Sequence, residues 1–237
     1  MSGRIVALSG GVGGAKLAQG LSQVTAPEEL LIVAHTGDDF VHLGFHISPD
    51  VDTLLYTLGD VADRERGWGR ADETWSFMDA VAALGGPAWF RLGDRDLATH
   101  VLRTQRLAQG ATLSEATQEL AARFGVRHLI APMSDDPVRT IVHTDEGPLA
   151  FQDYFVRRQC HPRVHHLEFA GAASARPAPA LAEAMRDEAA RAIVVCPSNP
   201  YLSVDPILSV PGVRAWLEAT AAPVIAVSPI IGGEAVK

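Results

Sequence analysis

The sequence is poor in cysteine, in aromatic residues and in positive charge, and it contains no long apolar run. Cys160 and Cys196 are its only two cysteines, far apart and without CxxC spacing, so they are expected to be buried or incidental and not a disulfide or a zinc pair. Lysine and arginine total 20 against 28 acidic residues, a formal net charge of −8. That balance excludes an electrostatic nucleic-acid footprint and a polybasic membrane contact. No apolar stretch reaches the length of a bilayer span, and the N-terminus enters a predicted strand directly instead of forming a signal peptide. A cytoplasmic setting is expected. What remains, 47% hydrophobic and 20% charged over 237 residues, describes an ordinary globular protein with one large domain.

What the chain does have is glycine, concentrated at its start. Residues 5–8, Ile-Val-Ala-Leu, read as a strand buried on both faces. Ser9 leads into Gly10, Gly11, Gly13 and Gly14, after which Ala15, Lys16, Leu17 and Leu21 take up helical spacing. Strand, glycine turn and helix together aim backbone N–H groups and a helix N-terminus at one spot, which suits a nucleotide phosphate. Glycine is expected there for positive φ and for close approach of the phosphate. The order GGVGGAK is not the dinucleotide fingerprint, because Lys16 stands where its third glycine belongs. It is not a Walker loop either, since no Gly-Lys-Ser/Thr follows.

A second buried strand over 30–34 ends in His35-Thr-Gly-Asp-Asp39, and Pro49 marks a helix start with Asp50 and Asp52 near its first turn. Any one aspartate there could be a mere cap. Four of them (Asp38, Asp39, Asp50, Asp52) within fifteen residues form a carboxylate group suited to Mg²⁺. Further strands are predicted over 88–92, 128–133, 192–196 and 224–228, with helices over 75–84, 97–108, 114–124, 179–191 and 207–219. Ser114 is the predicted N-cap of the third of these helices. Alternating residues at 140–144, 149–156 and 164–169 predict a small antiparallel β-rich insertion over 134–171. His161, His165 and His166 match no standard metal spacing. The fold expected is a three-layer, Rossmann-like α/β architecture with a doubly wound, mainly parallel sheet, a single domain over 1–237. Ser198 and Asn199 offer a hydroxyl and an amide at the carboxyl edge of its 192–196 strand.

Taken in order, SGGVGGAKL, GDD, ISPDVDTLLYTL, GWG, RLGDRDLATH, PMSDDPVRT, FQDYFV, PSNP and SPIIGG resemble the 2-phospho-L-lactate transferase family of deazaflavin coenzyme (factor 420) biosynthesis. The resemblance runs from Ser9 to Gly233. It implies a Mg²⁺-dependent transfer of a phospholactyl, phosphoenolpyruvyl or phosphoglyceryl group. The donor is a guanosine-diphospho-linked acid, the acceptor is the terminal ribityl hydroxyl of the deazaflavin Fo, and GMP is released. On that resemblance Asp52 and Arg91 match positions that contact Fo, and Asp52 is the candidate base. Asp38 and Asp52 are the candidate metal carboxylates, Gly10 to Gly14 with Lys16 approach the diphosphate, and Ser198 and Asn199 match a nucleotide-side motif. Family members continue beyond SPIIGG, so the C-terminal part of the family fold is expected to be absent; a homodimer is a family expectation. A nucleotide-binding regulator of the same superfamily is the competing expectation, and a dehydrogenase reading rests on the first turn alone.

Overall fold

The computed structural model describes residues 3–186, 190–232 and 234–235. In chain order, β1 (Arg4–Ser9), α1 (Gly11–Val24) and β2 (Leu30–Ala34) are followed by a hairpin of β3 (Phe40–His42) and β4 (Phe45–Ile47). Next come α2 (Pro49–Leu58), α3 (Ser76–Ala83), α4 (Asp94–Ala108), α5 (Leu113–Arg123) and β5 (Leu129–Pro132). β6 (Arg139–Thr144), β7 (Gly147–Ala150) and β8 (Val164–Ala170) precede α6 (Pro179–Arg186), β9 (Ala190–Val195), α7 (Asp205–Ser209), α8 (Val213–Ala219) and β10 (Val224–Ala226).

The central sheet has the order β10-β9-β1-β2-β5, and every pair in it is parallel. Successive side chains of a strand point to opposite faces, and here both faces are covered. Ala7, Ile32, Ala34 and Ile130 pack with Ala15, Ala18, Leu54 and Leu120 in the layer of α1, α2 and α5. Val6, Leu8, Leu31, Val33 and Ile193 pack with Leu181, Ile207 and Val213 in the layer of α6, α7 and α8. This is the expected three-layer, doubly wound α/β fold, and a three-stranded antiparallel sheet, β7-β6-β8, accompanies it. The chain leaves β1 toward β2 on one side and later returns to β9 on the other. The carboxyl ends of β1 and β9 therefore flank a topological switch point, where ligands bind in open sheets.

Several local expectations are corrected. Residues 88–92 form no strand; Trp89 and Phe90 instead pack edge-on against His42 and Phe40, with centroids 5.2 and 4.8 Å apart. The strand expected over 149–156 stops at Ala150, because Phe151 and Phe155 have helical spacing and stack at 5.3 Å within a helical turn. α5 is capped by Thr112 and not by Ser114: Glu115 N–H donates to Thr112 Oγ1 and Thr112 N–H to Glu115 Oε2, a capping box. The helix expected over 207–219 divides into α7 and α8 around Pro211 and Gly212, whose φ is +84°. α6 ends at Arg186 and Ala190 already belongs to β9; residues 187–189 of that prediction lie outside the described residues. Both cysteines are free, Cys160 exposed and Cys196 buried, and burial pushes the Cys196 thiol up to about 12.

Candidate active site

The glycine turn sits at the switch point, but its glycines serve packing more than access. Of the four, only Gly11 has positive φ, +61°. A Cβ on Gly10 would run into the Ser203 side chain, one on Gly13 into the Pro197 carbonyl oxygen, and one on Gly14 into the Ser9 hydroxyl. The turn is thus pressed against the segment 197–203 that follows β9. Ser198 is buried there and its Oγ donates to the Gly10 carbonyl. Asn199 Oδ1 accepts the amides of Tyr201 and Leu202 at 3.0 and 3.2 Å, capping the next helical turn. Lys16 lies exposed one turn further along α1.

Facing this turn is a buried group built from the end of β2 and the start of α2. His35 follows the last residue of β2 and is fully buried; its Nε2 lies 3.3 Å from Asp38 Oδ2 and 3.0 Å from Asp50 Oδ2. Asp50 Oδ1 accepts the Gly11 amide, so a carboxylate already rests on the first N–H of α1, as the helix dipole favours. Burial alone would keep His35 neutral, but Asp50 and Asp38 outweigh it and raise the ring's pKa well above its ordinary value. In the neutral ring Nδ1 accepts the Gly37 amide at 3.1 Å, an arrangement a second proton would break. Burial raises the Asp38 carboxyl, whereas at Asp50 the desolvation is outweighed by His35 and the Gly11 amide, which lower it. Beside them Asp39 is buried, accepts from Ser48 Oγ at 2.7 Å, and is pushed up by burial to about 7.

Donor atoms of His35, Asp38 and Asp50 lie within 4.8 Å of one another, close enough to share one cation. Asp38 Oδ1, Asp39 Oδ1 and His35 Nε2 are buried and have no well-formed hydrogen bond. An unpaired buried carboxylate oxygen is costly, and a hard divalent cation between Asp38 and Asp50 would satisfy that of Asp38. Two aspartates fit Mg²⁺, which takes one or two carboxylates plus substrate phosphates; the imidazole is better suited as their hydrogen-bond partner.

The structure pairs Asp38 with Asp50 and sends Asp52 elsewhere. Positions two apart on a helix point about 200° from each other. Asp52 is buried against α4, where Arg103, itself fully buried, binds both its oxygens, with Nη1 3.1 Å from Oδ2. His100 Nδ1 is 3.5 Å from Asp52 and its Nε2 3.2 Å from Asp96, and Tyr56 Oη donates to Asp96 at 2.5 Å. Sequence reasoning missed this network, although the spacing of Asp96, Thr99, His100 and Arg103, all buried on α4, is the i, i+3, i+4, i+7 stripe that marks a buried face. His35 was legible only as a histidine ending a buried strand. Arg91 shares no ion pair or hydrogen bond with Asp52 among the described residues. It is exposed, its guanidinium 4.4 Å from the Trp75 ring and its Nη2 3.9 Å from Asp79.

Residues 5–237 match the family described as 2-phospho-L-lactate transferase CofD. The chain is 46% identical to a phosphoenolpyruvate transferase of Kitasatospora aureofaciens, over 99% of this chain and 74% of that protein. It is 40% identical to a 2-phospho-L-lactate transferase of Methanosarcina mazei, over 98% of this chain and 76% of that protein. Among solved structures, protein BH3568 of Bacillus halodurans superposes with a TM-score of 0.67 at 18% identity, covering 95% of this chain and 68% of that one, a likeness of fold. No described helix is long and apolar enough to cross a membrane. The chain belongs to the 2-phospho-L-lactate transferase CofD family and is a transferase.

Proposed function

We propose that this transferase moves a phospho-acid group from a guanosine-diphospho-linked acid to the ribityl hydroxyl of a deazaflavin, releasing GMP, with Mg²⁺ bound. The observation that carries this reading is the meeting of Asp38, His35 and Asp50 with the first amide of α1 at the switch point. Phosphoryl-type transfer depends on positioning and charge neutralisation more than on covalent help. Asp38 and Asp50 are the residues that would hold Mg²⁺, and the ion would neutralise charge on the phosphate oxygens. The Val12 and Gly13 amides, which have no intrahelical acceptor at a helix start, and Lys16 would face the diphosphate. Ser198 and Asn199 shape the nucleotide side, and Arg91 belongs to the acceptor side. Asp52, with both oxygens on Arg103, positions the first turn of α2 in this reading, and Asp50 with it. Among the three acids we favour enolpyruvate, from the 46% identity to a phosphoenolpyruvate transferase.

The test is incubation of the protein with the deazaflavin, Mg²⁺ and each guanosine-diphospho-linked acid in turn, the product read by mass. A phosphoenolpyruvyl adduct with stoichiometric GMP is expected. Absence of any adduct with all three donors contradicts the reading.

A further inference from the structure

The amino-terminal edge of the central sheet carries a depression of about 380 Å³ that nothing above uses. Its volume is that of a small-molecule site. It lies where β1 and β5 begin and where the chain enters β2, with Arg4, Glu28 and Arg127 in its lining. Ala121, Val126 and Ile130, all buried, form an apolar floor. A strand rises about 3.3 Å per residue, so Arg4 at the start of β1 stands about 17 Å from Ser9 at its end. The depression is therefore separate from the glycine turn and from the pair Asp38 and Asp50, which lie past the opposite edge.

Two guanidinium groups line it, and neither has a carboxylate. Arg4 Nε donates to the Glu28 backbone carbonyl at 3.1 Å, which fixes the side chain along the edge. Its Nη nitrogens have no partner among the described residues, and Arg127 makes no ion pair or side-chain hydrogen bond among them. Glu29 is taken by Arg191 at 3.3 Å, and the Nε2 of His128 by the Thr25 carbonyl at 3.3 Å. Arg123 already stands in the last turn of α5, where the helix dipole favours a cation, so Arg127 beyond the helix end is not needed for that. In a chain of net charge −8, two cations without a carboxylate beside one apolar floor are a specific arrangement.

We infer that this depression binds a small organic oxyanion, a carboxylate or phosphate monoester with an apolar body, at a site apart from the transfer reaction. Arg4 and Arg127 would take the oxyanion, because guanidinium N–H pairs match carboxylate and phosphate oxygens two at a time. The floor of Ala121, Val126 and Ile130 would take the apolar body. Glu28 is the single acid of the lining and is outnumbered.

The experiment is amide NMR of isotope-labelled protein, without Mg²⁺ or nucleotide, titrated with phenyl phosphate, benzoate and inorganic phosphate. Phenyl phosphate or benzoate is expected to shift the amides of Glu28, Arg127 and His128 saturably, and the tighter of the two identifies the anion. Inorganic phosphate is expected to bind there at least about tenfold more weakly than phenyl phosphate, for want of the ring. Arg4→Gln and Arg127→Gln are each expected to weaken binding about tenfold. Ala122→Glu, at an exposed position of α5 in the lining, adds a carboxylate and is expected to abolish it. Shifts confined to residues 10–14, no saturable shift with either organic probe, or binding unchanged in all three variants overturns the inference.

Discussion

Asp50 and Asp52, two residues apart on one helix, do opposite work: Asp50 accepts the Gly11 amide and faces His35, while Asp52 is buried in the grip of Arg103. One carboxylate is turned toward the site and the other anchors the helix that carries it.

That division separates two substitutions. Asp52→Ala leaves the Arg103 guanidinium buried and unpaired, and removing one partner of a buried pair costs about 3–5 kcal/mol. Urea unfolding is expected to show a loss of that order, with Asp52→Asn intermediate. Asp50→Asn is expected to unfold within about 1 kcal/mol of wild type, since an amide oxygen can still accept from Gly11, yet to lose turnover. Equal stability of Asp52→Ala and wild type would remove Asp52 from its structural role.

The glycines differ from one another in the same testable way. Gly13→Ala drives a methyl group onto the Pro197 carbonyl, a rigid backbone atom, and overpacking of this kind costs about 1–3 kcal/mol. Gly11 has open space around its Cβ position and only its φ of +61° to oppose a side chain, so Gly11→Ala is expected to cost about 1 kcal/mol. Thermal unfolding of the two variants checks the order.

Asp39 sets a pH dependence. Its folded pKa, about 7, lies above the ordinary value of 3.8 because of burial. Between those values the folded state holds a proton that the unfolded state has released. Its contribution to stability is therefore full below about pH 4 and is lost as pH rises to about 7. Asp39→Asn is expected to remove a slope worth on the order of a few kcal/mol across that window, measured as chemical unfolding against pH. An identical slope in the variant would show that Asp39 ionises normally.

The layers of the fold were legible because runs such as Leu30-Leu-Ile-Val-Ala34, buried at every position, cannot be solvated strands. The glycine turn and the group of aspartates around Asp38 were legible as features of strand ends. That Gly10, Gly13 and Gly14 are required by packing against Ser203, Pro197 and Ser9 was not, because those neighbours are distant in sequence or set by the fold. Less legible was which aspartate faces which partner, because that depends on the rotation of α2. The partners of the α4 charges were not legible either: Asp96, His100 and Arg103 are buried, since each finds a partner across the helix interface. Trp89 and Phe90 read as a strand, and their aromatic packing on the β3–β4 hairpin needs no ladder.

The most direct test of the central claim, that Asp38 and Asp50 hold a cation for a diphosphate at the start of α1, is calorimetric titration of GDP with and without Mg²⁺. Wild-type protein is expected to bind GDP at least about tenfold more tightly with Mg²⁺, a gain of about 1.4 kcal/mol, and Asp50→Asn and Asp38→Asn to abolish that gain. A GDP affinity indifferent to Mg²⁺, or a Mg²⁺ effect that survives both substitutions, contradicts the account.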